Sequence, residues 1–329
     1  MIYRKLGNSG LSVSCIGLGT WVTFANQIDD KLAEDLVTVA YENGINFFDT
    51  AEIYAHGKAE ILLGNILHRK KWRRSTYVVC TKLFWGGRAV NECGLSRKHI
   101  IEGLNGSLQR LKLDYVDIVM ANKFDPDVPI EEVVRAFNFV INQGKALYWA
   151  VSRWSNMQIM EACLVAKQLG LIAPIVDQCE YNMFSREAVE TDREILHTRT
   201  GITTIGWSPL GGGMYTGKYV DKLPQLSRCH LEGYQWLKEF VTSDQGRRQQ
   251  AKLKELEIIS DRIGATLPQM MLAWCLKNEK VVSSVLIGCT SVDQLYENIG
   301  SLKFLSKLSD ENIIKEIDQV INNKPKVYN

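Results

Sequence analysis

The sequence predicts an α/β fold of the closed (β/α)8 kind, in a single domain spanning residues 1–329. Three observations carry this. Short apolar runs alternate with amphipathic helical stretches eight times, and strict alternation of this kind builds a parallel sheet. No Pro/Gly/Ser-rich linker, internal repeat or shift in composition divides the chain. The length also suits a barrel, which takes roughly 250 residues and leaves material for additions. An open dinucleotide-binding sheet is the weaker alternative, because no Gly-x-Gly-x-x-Gly follows the first strand.

Taken in order, Tyr3–Val13 reads as a small hairpin turning at Asn8-Ser9-Gly10. Val13–Leu18 is an apolar strand that ends in Gly17–Gly19, Thr20 and Trp21. A helix starts near Asp30, with Leu32, Leu36, Val39 and Ala40 on one face and Gly44 as its stop. Ile45, Phe47 and Phe48 make a short buried strand ending on Asp49, and a helix over Ala59–Leu67 follows. Tyr77–Lys82 is the next strand, and Ser96 caps a helix carrying Ile100, Leu104, Leu108 and Leu111.

Tyr115–Ala121 is a strand, and Val133, Ala136, Phe137 and Val140 mark a helix. Ala146–Val151 precedes a helix opened by the capping box Ser155/Gln158 and stopped at Gly170. Ile175–Tyr181 is a strand, Glu187–Thr198 a weaker helix, and Thr203–Trp207 a strand. After a long loop, Arg247–Ile263 is strongly amphipathic, and Thr266 caps Leu267–Leu276. Val282–Ile287 is the last strand, Ser291 and Gln294 open a helix, and Ser309–Ile321 forms the final one.

Composition excludes several function classes. Apolar residues make up 46% and charged residues 23%, as in an ordinary globular protein with a sizeable core. A net charge of +2 gives no electrostatic case for nucleic acid or an anionic membrane. No apolar run could span a bilayer, and the start Met-Ile-Tyr-Arg-Lys-Leu-Gly has no signal-peptide core, so a membrane would be met only through another protein. The eight cysteines are scattered, without Cys-x-x-Cys or histidines at ligand spacing. That argues against a metal site and a disulfide framework, and for reduced thiols in a cytosolic protein.

The chemistry gathers at strand ends, where barrels of this type place their sites. Asp49 ends an apolar strand, and a carboxylate there is costly to bury without a partner. Lys82, closing the Tyr77–Lys82 strand, is the expected partner, and Tyr54 lies five residues beyond Asp49. A phenol has a reference pKa of about 10; a neighbouring ammonium is expected to lower it and so make Tyr54 a better proton donor. Singly, each residue has a bland role open to it: turn former, solvated lysine, core tyrosine. The other strand ends supply Thr20-Trp21, Asn122, Ser152-Arg153, Gln178, Trp207-Ser208-Pro209-Leu210 and Gly288-Cys289-Thr290. The helix opening at Ser291 could offer its amides to a phosphate or simply be capped, and both readings stay open. Lys218 and Arg228, in the Gly-rich loop Pro209–Arg228, could add charge for phosphate or be ordinary solvated residues.

Asp49, Lys82 and Tyr54 together resemble the catalytic set of the aldo-keto reductases, whose fold is the TIM barrel. The chain also resembles the voltage-gated potassium channel β subunits, a branch of that superfamily. The resemblance rests on Gly-Leu-Gly-Thr-Trp-Val-Thr-Phe (17–24), Phe-Asp-Thr-Ala-Glu-Ile-Tyr-Ala-His-Gly-Lys-Ala-Glu (48–60) and Phe-Trp-Gly-Gly (84–87). Gly-Leu-Ser-Arg-Lys-His (94–99), Ser-Arg-Trp-Ser (152–155), Trp-Ser-Pro-Leu (207–210), Gly-Tyr-Gln-Trp (233–236) and Glu-Asn-Ile-Gly (297–300) extend it over nearly the whole chain.

The resemblance implies bound NADP(H), slow reduction of small aldehydes and ketones, and a cytoplasmic homotetramer. It implies docking on the N-terminal assembly domain of a channel α subunit, with the membrane met only through that channel. Asp49, Tyr54 and Lys82 carry over as catalytic residues with Tyr54 the proton donor, and Asn122 stands where most of the superfamily has histidine. Ser152, Arg153, Gln178 and Trp207 would meet the nicotinamide, and Asp49 would also border the cofactor. Ser208, Pro209, Leu210, Lys218, Arg228, Gly288, Thr290, Gln294, Glu297 and Asn298 would hold the adenosine and phosphates, and Thr20, Trp21 and Gln27 also match. Gly211-Gly212 replaces an Ala-Cys pair, Leu226 a tyrosine, and Lys123-Phe124 an Arg-Pro pair, which bears on cofactor grip and mouth shape. A redox-sensing channel subunit, a free metabolic reductase and a scaffold that binds NADP(H) without turnover are the competing functions.

Overall fold

The computed structural model describes residues 1–220, 223, 227–230 and 233–326, so Leu226 lies outside the described residues. The chain opens with an antiparallel hairpin, β1 (Tyr3–Lys5) and β2 (Ser12–Ser14). The strands that follow are β3 (Ile16–Gly19), β4 (Phe47–Asp49), β5 (Val78–Leu83), β6 (Val116–Ala121), β7 (Ala146–Ser152), β8 (Val176–Glu180), β9 (Thr203–Trp207) and β10 (Val282–Ile287). They run parallel in chain order, and β10 returns to pair with β3, closing an eight-stranded (β/α)8 barrel among the described residues.

Helices α1 (Asp30–Glu42), α2 (Lys58–Lys70), α3 (Arg97–Leu111), α4 (Ile130–Asn142) and α5 (Asn156–Gln168) follow successive strands, and α6 (Glu194–Thr200) follows β8. Then come α7 (Gln235–Thr242), α8 (Asp244–Arg262), α9 (Leu267–Leu276), α10 (Val292–Gly300) and α11 (Glu311–Ile321). The expected caps form: Ser96 accepts from the His99 amide, and full capping boxes close at Ser155/Gln158 and Thr266/Gln269.

Several elements differ from expectation. The strand expected over Val13–Leu18 is divided at Cys15: Val13 and Ser14 pair with β1 in the hairpin, and the barrel strand is Ile16–Gly19. The weak helix after β8 begins as a wide π turn, Ala188–Arg193, in which the buried Arg193 side chain turns inward to Asp177 and the Trp154 carbonyl. The long loop before α8 contains α7, whose Leu237 and Val241, one turn apart, pack on Tyr219 and Cys229. The final helix starts at Glu311 rather than Ser309, because Asp310 is the residue that caps it.

What positions the site is strand parity. Successive side chains on a strand face opposite sides, so every second residue points into the barrel. Phe47, Val78, Cys80, Ile118, Met120, Ala150, Val176, Ile205 and Leu286 form one buried inner cluster. Two residues on from the uppermost of these, the same inward positions become Asp49, Lys82, Asn122, Ser152, Gln178, Trp207 and Gly288. The hairpin plugs the opposite end: Leu6 and Val13 are fully buried in the inner cluster. Arg4 donates to the Val282 and Leu276 carbonyls and the Gly7 amide to Thr203 Oγ1, which ties the plug to the barrel floor.

Candidate active site

Parity delivers Asp49 and Lys82 to one layer on neighbouring strands, where they meet. Lys82 Nζ donates to Asp49 Oδ1 at 2.5 Å and to the Thr50 carbonyl at 2.9 Å. Gln178, across the barrel on β8, donates Nε2 to Asp49 Oδ2 at 2.8 Å. Both charges are almost wholly buried, a placement that is stable only because each is paired and hydrogen-bonded. Burial alone would lower the Lys82 pKa; Asp49 and then Tyr54 outweigh it, so the net shift is upward and the ammonium stays charged.

Tyr54 stands over this pair, with Lys82 Nζ 5.0 Å from its ring centroid. The chain turns sharply just beyond it, where Ala55 and His56 adopt left-handed conformations before Gly57 opens α2. The expectation that Lys82 lowers the phenol pKa is corrected in its net direction. Burial is the largest influence and raises it; Lys82 pulls the other way, and Asp49 adds to the rise. The phenol is therefore held protonated. Asn122 lies on the adjacent wall, its backbone amide bonded to the Leu83 carbonyl at 3.0 Å.

These groups open into a cavity of about 1140 Å³ at the C-terminal ends of the strands. Of the predicted site residues only Lys82 and Thr20 stay behind its wall. Thr20 bonds through its amide to the Asp49 carbonyl and through Oγ1 to Thr50 Oγ1, so it supports the Asp49 turn and does not face the cavity. Residues 23, 53, 85, 227 and 266–269 also line the cavity and were not singled out from the sequence as site residues. Trp85 lies in Phe-Trp-Gly-Gly (84–87), where no spacing marks it as a site residue, and Thr23 lies in a loop without periodicity.

The described part of the Gly-rich loop after β9 lines the cavity through residues 209, 210, 212, 213, 216 and 218. Gly211, Gly212 and Gly213 all have positive φ, and a Cβ at Gly211 would sit 2.3 Å from the Tyr215 ring. Side chains rarely adopt that conformation, so the departure from Ala-Cys is what this backbone requires. The glycines also make room for two cations: a Cβ at Gly213 would lie 2.6 Å from Lys218 Nζ, and one at Gly212 3.1 Å from an Arg228 nitrogen. Loss of water, and then the Arg228 charge, hold the Lys218 pKa below the usual lysine value. Burial likewise lowers that of Arg228. The Arg228 guanidinium lies between the rings of Trp21 and Tyr234, at 5.8 and 5.9 Å. Neither cation has a carboxylate partner among the described residues.

At the far end, Ser291 caps α10 by accepting from the Gln294 amide, but Gln294 Oε1 turns back to the amide and hydroxyl of Thr290. The cap is thus not a reciprocal box. Four buried polar atoms of cavity-lining residues have no partner: Thr23 Oγ1, Ser227 Oγ, Gln27 Oε1 and Trp207 Nε1. Orphaned buried groups are costly. Together with two unpaired cations and the half-buried Trp207 indole that lines the cavity, they fit an elongated ligand with phosphates at one end and a flat ring at the other.

Residues 15–322 match the aldo/keto reductase family. The chain belongs to that family. Its members reduce carbonyls as oxidoreductases and generally use NAD(P)H, and the cavity of this aldo/keto reductase has the donors and cations such a dinucleotide needs. No group of three or more metal-ligating side chains occurs among the described residues, and none of their helices is long and apolar enough to cross a membrane.

Proposed function

We infer that the protein is an NADP(H)-dependent reductase of small aldehydes and ketones, working slowly as the cytoplasmic β subunit of a voltage-gated potassium channel. The observation that carries the enzymatic part is the meeting of Asp49, Lys82 and Tyr54 at one rim of the cavity. A bound reduced nicotinamide supplies the hydride that reduces the carbonyl carbon. Ser152, Arg153, Gln178 and Trp207, which line the cavity together, would hold that ring. Tyr54 delivers its proton to the carbonyl oxygen, and Lys82, kept charged by Asp49, stabilises the phenolate left behind. Asn122 orients the carbonyl oxygen through its amide but cannot exchange a proton as imidazole does, which is why turnover is slow. Lys218 and Arg228 would grip the phosphates, and Arg228, Thr290 and Gln294 suit the 2′-phosphate that distinguishes NADP from NAD.

The channel part rests on the dense likeness to the β-subunit branch and on Asn122. It entails a homotetramer on the cytoplasmic face, docked on the N-terminal assembly domain of a channel α subunit and coupling nicotinamide state to gating or trafficking. One observation favours a free metabolic reductase. Lys123, where the branch has arginine, reaches over the rings of Phe84 and Trp85 and gives the mouth a shape of its own. Three measurements separate the readings. The absorbance spectrum and native mass of the purified protein should report bound nicotinamide and a tetramer. Aldehyde should oxidise bound NADPH in a single turnover, and no oxidation would leave only a scaffold. Capture by a channel assembly domain should succeed; failure would favour the free enzyme.

A further inference from the structure

We propose that the buried pair Glu52–His99 is a positioning device that seats Trp85 at the mouth of the cavity and so sets which carbonyl compounds enter. This rests on the carbonyl-reductase reading. Glu52 lies two residues before Tyr54, yet its carboxylate points away from the cavity and is almost fully buried. No lysine or arginine pairs with it among the described residues. Instead Oε1 accepts the Phe84 amide at 2.7 Å and contacts His99 Nε2 at 3.0 Å. Its own amide donates to the Lys82 carbonyl at 3.2 Å. One residue thus ties the Tyr54 turn, the end of β5 and the first turn of α3 together.

The loop above is built to rest on this pair. A Cβ at Gly86 would lie 2.7 Å from His99 Cε1 and 3.1 Å from Glu52 Oε2; one at Gly103, on α3, would lie 3.1 Å from the same oxygen. Side-chain-free positions on both sides therefore let the loop and the helix close on the pair. From that seat the Gly86 and Gly87 amides bond to the Glu92 carbonyl, and Phe84 and Trp85 pack at 4.5 Å between centroids. Phe84 is buried, and Trp85 is left 38% exposed as a wall of the cavity that Ile53 and Asn122 also line. A buried carboxylate that accepts a loop amide fixes that loop in one place, and an error of about 1 Å at a site wall is enough to lose function.

The test compares Glu52→Ala, Glu52→Gln, Gly86→Ala, Trp85→Ala and the double variant Glu52→Ala/Trp85→Ala. Hydrogen exchange should show the Gly86 and Gly87 amides losing protection in Glu52→Ala and Gly86→Ala, and keeping it in Glu52→Gln, which retains the acceptor for Phe84. KM for benzaldehyde should rise about tenfold in Glu52→Ala and in Trp85→Ala, and KM for propanal should rise much less. The double variant should be no worse than either single one, as coupled residues require. Unchanged protection at Gly86 and Gly87, or full additivity in the double variant, would overturn the proposal. A protein that reduced neither aldehyde would refute the reductase reading, while the exchange data would still report the seating. Should Glu52→Ala fail to fold, Gly86→Ala displaces the loop with the pair intact and decides alone.

Discussion

The two ends of the barrel are built from the same strands and differ by two residues of chain. Toward the N-terminal end the inward positions hold Phe47, Cys80, Met120, Val176 and Ile205, closed over by Leu6 and Val13 of the hairpin. Toward the C-terminal end they hold Asp49, Lys82, Asn122, Gln178 and Trp207, open to a cavity. Below, each position contributes burial of apolar surface, about 1.5–3 kcal/mol for a large side chain. Above, the polar groups add little net stability and much specificity, because a buried ion pair scarcely repays its desolvation. Stability and chemistry are thus separated along one axis, and substitutions at the two ends should fail in different ways.

The largest effect belongs to the upper end. Tyr54→Phe removes the proton donor but leaves the ring over Lys82, and loss of a positioned general acid lowers kcat by ~10²–10⁴. NADP(H) binding, followed by fluorescence titration, should be retained; full activity in this variant would sink the assignment. The pH profile carries the same information. Burial raises the phenol pKa above its usual value of about 10, and Tyr54 must be protonated to donate. Carbonyl reduction should therefore stay level from neutral pH and fall only in strong alkali. Alcohol oxidation, which needs the phenolate, should climb with pH instead. A reduction rate falling between pH 7 and 8 would point to a different donor.

At the lower end, Leu6→Ala opens a cavity in the plug. Large-to-small changes at fully buried sites cost about 2–5 kcal/mol, so the denaturation midpoint should drop well below the parent's. Activity per folded molecule should be unchanged, since Leu6 is remote from the rim. A loss of kcat without a loss of stability would break the division between the two ends.

Next in size is the grip on phosphate. Lys218→Ala or Arg228→Ala removes a charge-assisted hydrogen bond, about 1.5–3 kcal/mol, and should weaken NADPH binding roughly ten- to a hundredfold. Added salt should weaken the parent more than either variant, because screening acts on the charge that the variant lacks. Equal affinity in all three proteins would place the phosphates elsewhere.

Much of this division could be read from the chain before folding. Eight apolar runs with polar residues at one end announce a barrel and its working rim, because parity and strand direction leave few other arrangements. Asp49 and Lys82 were legible as a pair, since a carboxylate at the end of a buried strand needs a cation. The net direction of the Tyr54 pKa was not legible, because it depends on how far burial outweighs one ammonium. Nor was Thr20 as a supporting residue, since which way a strand-end hydroxyl turns is set by its neighbour Thr50. Helix α7 escaped because eight residues with two buried positions give too little periodicity to distinguish from loop.

The smallest predicted effect tests the rim most finely. Asn122 lies beside the end of β5 with its amide group facing the cavity, and Gln178 across the barrel is committed to Asp49. Histidine at 122 could both orient the carbonyl oxygen and exchange its proton, whereas the amide can only orient it. Asn122→His should raise kcat by up to ~10-fold, the lower reach of a second acid–base group beside an existing donor. The gain should be confined to the pH range in which the imidazole is protonated, so it should fade as pH rises through about 6.5. KM for NADPH should not move, because the substitution leaves Lys218 and Arg228 unaltered. A gain that persisted unchanged to pH 9 would show imidazole acting only by shape, and Tyr54 would then be the sole source of the proton.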